Sequence, residues 1–301
     1  MNGRLLILVT SLISFGLGFF LQGLPRGNCS PNIVESSYAP KSEVLSPSYA
    51  PSSSKTPDVL EQYARSITVK VLSGENWGSG ILIRQKDNIY NVLTNQHVLI
   101  FGEGKSYRIV TSDGKTYPAK LVTIKGLSHQ DLGLLQFKSQ KKYTIAILSS
   151  KVKPIQSEKV LAAGFPFDSR FKGSQGFLVN WGQIEILNTR SFGGGYQIGY
   201  SNLVKKGMSG GPLINLQGQV IGINGVHKYP LWGNPYVFND GDTASPSEKQ
   251  KMSQFSWAIP IQTFLEIAPQ YLEKNTQRRT EKVTQKKIVP LSNPPLPDRS
   301  W

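Results

Sequence analysis

The chain has 301 residues, enough for one large or two small domains, each with a real hydrophobic core. Its 34 basic and 19 acidic side chains give a formal net charge of +15, but the surplus is spread along the chain. This distribution favours a solvated basic surface, so no specific nucleic-acid partner is expected. The single cysteine, Cys29, excludes an intrachain disulfide and a cysteine-based metal site.

The N-terminal region contains a long uncharged segment followed by a polar one. Residues 5–24 carry no charge and are numerous enough to span a bilayer, which predicts a membrane anchor or signal segment over residues 1–25. A retained anchor is favoured over a cleaved signal, because no clear cleavage site follows at once. Residues 26–56 are rich in Ser and Pro and are predicted to form a flexible stalk. We therefore expect the remainder to work outside the cytoplasm, in the periplasm or an equivalent lumen, attached to the membrane through residues 5–24.

From about Ser66 the chain becomes a series of short apolar runs separated by Gly, Asn and Asp. Val, Ile, Tyr and Thr are frequent, and Asp113-Gly114 is a hairpin-turn signal, which favours β-strands. The first cluster of runs covers 66–72, 80–85, 88–94, 107–124 and 131–137. The second covers 159–165, 182–187, 196–201, 212–225 and 255–260. Two clusters of about six strands each predict an all-β fold, either a pair of β-barrels or a sandwich.

The C-terminal part of the chain changes character twice. Residues 261–275 carry the first long helical signal and predict a C-terminal helix despite Pro269. Residues 273–301 are basic and Pro-rich, which is typical of a disordered tail. The basic cluster 274–287 leaves attachment to an anionic surface open as an additional property. The domain between stalk and tail is predicted to cover residues 57–272.

The segment GMSGGP places three glycines around Ser209, which indicates tight backbone geometry or the close approach of another molecule. A serine hydroxyl becomes a nucleophile when a base takes its proton, so a catalytic Ser209 requires a histidine and an orienting carboxylate. His97, in TNQHV, follows a predicted strand, and Asp131 begins another. The order His97, Asp131, Ser209 on an all-β pattern points to nucleophilic catalysis.

The same segment also satisfies the G-x-S-x-G pattern of α/β-hydrolases, in which the acid and then the histidine follow the serine. The only histidine after Ser209 is His227, and the nearby acids Asp240 and Asp242 lie beyond it. The order is therefore wrong, and no alternating βα pattern is present. This alternative is rejected.

The segments TNQHV, HQDLGLLQF and GMSGGPL resemble the three catalytic segments of chymotrypsin-like serine peptidases, and most closely the bacterial trypsin-like branch that includes the HtrA/Deg proteases. Further matches are GSG at 78–80, AAGFPF at 162–167 and GQVIGING at 218–225. The resemblance covers roughly residues 60–265. It implies two six-stranded antiparallel β-barrels and no cofactor or metal. HtrA proteins usually append PDZ modules, but the tail here is too short for one.

The resemblance also implies a role for each catalytic residue. Ser209 would attack a peptide carbonyl, His97 would accept and return the proton, and Asp131 would orient His97. The backbone N–H groups of Gly207 and Ser209 would form the oxyanion hole. The predicted function is a serine endopeptidase acting on proteins or peptides. A catalytically silent peptide-binding module on the same fold is the alternative.

The substrate pocket is likewise predicted from the resemblance. Its floor is assigned to Leu203, followed by Val204, and its opposite wall to Asn224, Gly225 and Val226. With no acid at the floor, the pocket favours small or medium apolar side chains over Arg or Lys, since an unpaired ammonium would be costly to desolvate.

Two further features bear on regulation. Met208 stands where digestive relatives carry an aspartate that binds a newly cut N-terminus, so activation by such a cut is not expected. The segment 227–254 reads as an insertion without strand pattern beside the expected cleft, and it is a candidate gate.

Overall fold

The computed structural model describes residues 55–102, 106–151, 153–168, 173–174, 176–228 and 234–271. The predicted anchor or signal segment, the tail and nearly all of the stalk lie outside these residues. Within the described ranges, no helix is both long enough and apolar enough to cross a membrane.

Six antiparallel strands form a first closed barrel, in the order β1-β2-β3-β6-β5-β4 with β4 paired back to β1. They are β1 (Thr68–Ser73), β2 (Asn76–Lys86), β3 (Ile89–Asn95), β4 (Tyr107–Val110), β5 (Thr116–Leu121) and β6 (Leu132–Lys138). Its interior is filled by aliphatic and aromatic side chains, among them Val69, Val71, Leu82, Tyr90 and Val92. Residues two apart on a strand share a face, as Val69 and Val71 do, so the same face of each strand lines the barrel interior.

A second barrel follows along the chain. Its strands and their short neighbours are β7 (Ile147–Leu148), β8 (Lys159–Gly164), β9 (Phe167–Asp168), β10 (Gly173–Ser174), β11 (Leu178–Phe192), β12 (Tyr196–Tyr200), β13 (Pro212–Asn215), β14 (Gln219–Val226) and β15 (Ser256–Pro260). The order β13-β8-β11-β12-β15-β14 closes where β13 pairs with β14. Strand β7 adds to β14 in parallel, and β9 pairs with β10 as a separate hairpin. The predicted fold of two six-stranded antiparallel barrels is confirmed.

In the described residues, four α-helices accompany the barrels: α1 (Pro57–Ile67), α2 (Gln96–Ile100), α3 (Pro246–Ser253) and α4 (Ile261–Ile267). Helix α1 was not predicted from the sequence pattern. It begins with a proline in its first turn, a position that a helix tolerates, and it buries Leu60, Ala64 and Ile67 on one face.

The predicted C-terminal helix is present but shorter than expected. It was predicted over 261–275, whereas α4 ends at Ile267 and a single 3₁₀ turn, Pro269–Tyr271, follows. Proline lacks the N–H that would continue the helix and restricts the residue before it, so the helix stops ahead of Pro269.

The segment 227–254, predicted to be irregular, contains regular structure in its described part. Helix α3 begins with a capping box in which Ser245 and Glu248 bond reciprocally. Ahead of it, the Arg190 guanidinium lies 2.7 Å from a carboxylate oxygen of Asp240 and 2.8 Å from one of Asp242. The described part of this segment is thus tied to β11.

Candidate active site

Asp131 and His97 form a two-point contact. The Asp131 carboxylate accepts the backbone N–H of His97 through Oδ1 at 2.8 Å, and its Oδ2 lies 2.7 Å from His97 Nδ1. Asp131 itself has left-handed backbone dihedrals, φ 44° and ψ 38°, a conformation that aspartate tolerates better than most residues. Both contacts fix the carboxylate and the imidazole relative to each other.

Strand pairing explains why these two side chains meet. Strands β3 and β6 pair with Asn95 opposite Leu132, so the end of β3 and the start of β6 are neighbours. His97 follows β3 on α2, and Asp131 immediately precedes β6. The Asn95 side-chain amide and the Gln96 N–H also donate to the Asp131 carbonyl, each at 3.0 Å. The first barrel therefore supplies both residues of this pair.

The environment of the pair determines what the imidazole can do. The Asp131 side chain is 18% exposed and that of His97 is 42% exposed. A mostly buried carboxylate at Nδ1 favours the tautomer with its proton on Nδ1, which leaves Nε2 as a proton acceptor.

Ser209 lies in the loop between β12 and β13, against α2. A Cβ added to Gly78 would lie 2.6 Å from Val98 of that helix and 3.1 Å from the Ser209 carbonyl, so the serine loop and the helix meet across this glycine. The Ser209 hydroxyl donates to the Gly225 carbonyl at 3.2 Å. The structure thus brings Ser209 and the element that carries His97 to the same place between the barrels.

Ser79, on β2 of the first barrel, forms hydrogen bonds to the loop that carries Ser209. The Ser79 hydroxyl donates to the Gly207 carbonyl and accepts the Phe165 N–H, both at 2.8 Å, while the Ser79 N–H donates to the Ser209 carbonyl at 2.8 Å. The loop backbone is therefore fixed on both sides of Met208.

Gly207, two residues before Ser209, has a backbone conformation that residues other than glycine rarely adopt. Gly207 has φ +94°, and a Cβ there would lie 2.5 Å from the Phe165 carbonyl oxygen and 2.9 Å from the Phe167 nitrogen. The N–H groups of Gly207 and Ser209 find no acceptor within the described part of the chain. Both donors are available to an anion.

The predicted pocket residues fall into two groups. Asn224, Gly225 and Val226 lie on β14 beside Ser209, where the Asn224 carbonyl accepts the Gly210 N–H at 2.8 Å. Val204 is buried in the core of the second barrel, whereas the Leu203 side chain is 52% exposed. The assignment of Leu203 and Val204 to a pocket floor stays a prediction.

One residue at the candidate site was not predicted from the sequence. The Tyr196 hydroxyl, from β12, donates to Asp131 Oδ2. The signal available was the glycine run in FGGGY, 192–196, directly before β12, which was not singled out.

The described residues hold no cluster of three His, Cys, Asp or Glu side chains of the kind that binds a metal.

Residues 78–223 match the family model of the trypsin-like peptidase domain. Similar proteins include serine protease HTRA1 of Xenopus laevis, 30% identical over 49% of this chain and 30% of its own length. A probable periplasmic serine endoprotease DegP-like of Rhizobium meliloti is 32% identical over 52% of this chain and 29% of its own length. The periplasmic pH-dependent serine endoprotease DegQ of Escherichia coli is 31% identical over 50% of this chain and 31% of the length of DegQ.

The chain thus matches about a third of the length of these relatives. Among solved structures, the serine endoprotease from Yersinia pestis has a similar fold, with a TM-score of 0.53, 20% identity, and coverage of 74% of this chain and 69% of that one. Residues 78–223 thus match a trypsin-like peptidase domain, and this part of the chain is similar to HtrA and Deg serine proteases.

Proposed function

We propose that this chain is a serine endopeptidase in which Ser209 is the nucleophile, His97 the general base and Asp131 the residue that orients His97. The observation that carries the proposal is the contact of 2.7 Å between His97 Nδ1 and Asp131 Oδ2, beside a serine loop in which two N–H groups have no acceptor among the described residues. The match to the trypsin-like peptidase domain supports it.

The reaction begins when the Ser209 hydroxyl leaves the Gly225 carbonyl and donates to His97 Nε2. Hydrogen bonds of this kind often tighten only when substrate is bound. His97 takes the proton as Ser209 Oγ attacks the peptide carbonyl carbon, and the imidazolium that forms is stabilised by Asp131. His97 then gives the proton to the leaving amine, and water attacks the acyl-enzyme by the same route.

The negative oxygen of the tetrahedral intermediate would be bound by the N–H groups of Gly207 and Ser209. One such donor contributes about 10²–10³ in rate, because it is already oriented before charge develops. The left-handed backbone at Gly207 supports this role. No cofactor is needed for these steps.

Substrate would bind as an added strand along Gly225 and Val226, with backbone hydrogen bonds that do not depend on sequence, because the backbone groups of Asn224 already bond Gly210 and Gly211. The side chain before the scissile bond would then contact Leu203. Because Leu203 is half exposed, a bound apolar side chain would remove both itself and Leu203 from water, which favours small and medium apolar residues.

The proposed location is outside the cytoplasm, with residues 5–24 as the membrane attachment. The relatives named as periplasmic enzymes support the first part, and the uncharged N-terminal run supports the second. Fractionation of cells that express the chain, followed by protease treatment of intact spheroplasts, tests both parts. Recovery of the chain in the cytosol would contradict them.

The decisive experiment treats the purified chain with a fluorophosphonate probe and, in parallel, with casein. We expect the probe to label Ser209 and casein to be cleaved, and Ser209→Ala to abolish both without changing the thermal transition. Ser66→Ala is the matched control, because the Ser66 hydroxyl makes a local bond, to the Tyr63 carbonyl on α1 at 2.8 Å. A chain that binds casein without labelling or cleavage would instead be the silent binding module.

A further inference from the structure

The Asp131 carboxylate receives three hydrogen bonds, and the third comes from the other barrel. Two are from His97, through its backbone N–H and Nδ1. The third is from the Tyr196 hydroxyl, which donates to the same Oδ2 that lies against Nδ1. Tyr196 begins β12 of the second barrel, whereas Asp131 precedes β6 of the first, so this bond joins the barrels at the candidate site.

A glycine turn brings Tyr196 to this position. Residues 193–195 are three glycines that connect β11 to β12. Gly194 has φ +82°, and a Cβ there would lie 3.1 Å from the Asp131 Cβ, so a side chain would push against the carboxylate. A Cβ at Gly195 would overlap the Gln130 side chain. The glycines let the hairpin lie directly over Asp131.

A second, separate glycine makes room for the hydroxyl. A Cβ added to Gly225 would overlap the Tyr196 hydroxyl and the adjoining ring carbons. The tyrosine therefore occupies the volume that any larger residue at position 225 would fill. Two distant segments, 193–195 and Gly225, are both shaped around one tyrosine.

The environment keeps the hydroxyl a donor. Tyr196 is only 6% exposed. Burial first, and then the nearby charge of Asp131, raises the pKa of Tyr196 well above its ordinary value of 10.0. The phenol therefore keeps its proton at every pH at which a histidine base would operate.

We infer that Tyr196 is a positioning residue that acts through Asp131, holding the carboxylate in the orientation from which it fixes the His97 imidazole. This inference rests on the proposed function. Without the hydroxyl, Oδ2 loses one of its two donors, and the carboxylate can rotate away from Nδ1. The imidazole then spends less time aimed at Ser209, which lowers kcat. Substrate binding changes little, because the hydroxyl bonds to Asp131 and not to the segment proposed to bind substrate.

Tyr196→Phe isolates the hydroxyl, because phenylalanine keeps the ring that packs against Gly225. We expect kcat to fall about tenfold to a hundredfold, the range for loss of a hydrogen bond to a charged group. KM should stay within about twofold, the signature of an interaction that acts on the chemical step. Tyr90→Phe is the matched control: it also removes a buried hydroxyl, which donates to the Lys141 carbonyl in the first barrel.

A double-mutant comparison separates positioning from general structural support. In an Asp131→Asn background, Tyr196→Phe should reduce the rate of fluorophosphonate labelling no further, because the group through which it acts is already gone. An equal loss in both backgrounds would overturn the inference. So would a normal kcat in the single variant, or an equal fall in kcat for Tyr90→Phe.

A spectroscopic readout does not depend on activity. In the Ser209→Ala chain with ¹⁵N-labelled histidine, the proton between His97 Nδ1 and Asp131 should give a low-field resonance, which Tyr196→Phe should broaden or remove and Tyr90→Phe should leave in place. If the parent chain proves inactive but this pattern holds, the proposed function fails and the positioning role stands. If the chain is active and the resonance is unchanged in Tyr196→Phe, the positioning role fails alone.

Discussion

Replacing Gly207 with alanine tests whether the conformation of the serine loop, and not its mere presence, supports catalysis. Gly207 has φ +94°, and an added Cβ would lie 2.5 Å from the Phe165 carbonyl oxygen and 2.9 Å from the Phe167 nitrogen. Both neighbours are backbone atoms, so no side-chain rotation can relieve the contact. The loop must move, and the Gly207 and Ser209 N–H groups turn with it.

The substitution should have two separate effects, one on stability and one on kcat. The left-handed backbone costs an L-residue about 1–2 kcal/mol, which lowers the free energy of unfolding. Misplacing one oxyanion donor costs about 10²–10³ in kcat, equivalent to about 2.7–4 kcal/mol of transition-state stabilisation. We therefore expect Gly207→Ala to remain folded, with a lower Tm, and to lose at least two orders of magnitude in kcat.

Gly114 provides a matched control. It has φ +79°, and a Cβ there would meet nothing within 4 Å, so alanine at 114 carries the backbone cost without the contact. Both variants should be compared for Tm by calorimetry and for kcat and KM on a peptide substrate. Gly114→Ala should lose stability but keep its activity. A Gly207→Ala chain with kcat equal to that of Gly114→Ala would refute the proposed oxyanion hole.

Three other predictions follow from the site and the surface. Asp131→Asn should lower kcat by roughly 10⁴ through the wrong His97 tautomer, with the thermal transition unchanged; near-normal turnover would assign the orienting role to another carboxylate. A peptide library should show cleavage after small or medium apolar residues, and a profile dominated by Arg and Lys would contradict the pocket at Leu203. A hydrogen bond from Lys141, and a weaker contribution from Thr111, hold the pKa of Asp113 well below its usual range. The ionised carboxylate therefore adds to the free energy of unfolding above about pH 4, and this contribution is lost as the pH falls further. The Tm difference between the parent chain and Asp113→Asn should therefore shrink as the pH falls below about 4, and a constant difference would argue against this contact.

The strands were largely predictable from the sequence because they are short apolar runs, rich in β-branched and aromatic residues and separated by turn residues. Strands buried on both faces, such as β3 and β8, give continuous apolar runs, and every predicted run overlaps a strand. Helix α1 was missed because its three buried residues, at helical spacing, directly follow a polar, Pro-rich segment. Helix α4 is shorter than predicted because the prediction continued the helix through Pro269, whereas the helix ends before this proline.

The candidate site was predictable where its residues carry a local pattern. His97, Asp131 and Ser209 each lie in a recognisable segment, and their order could be compared with known arrangements. Tyr196 could not be found in this way, because its contact with Asp131 spans 65 residues and exists only after the barrels pack together. The exposure of Leu203 is equally a product of tertiary packing that spacing alone does not report.

The bonds from Ser79 have a consequence for the order in which activity arises. They connect the first barrel to the serine loop of the second across a sequence separation of 128 residues for the bond to Gly207. Contacts so distant in sequence form late, because closing a long loop of chain is slow. During refolding, peptide cleavage should therefore appear only with the final phase, after both barrels have formed. A newly made chain would then be unable to digest its half-folded neighbours.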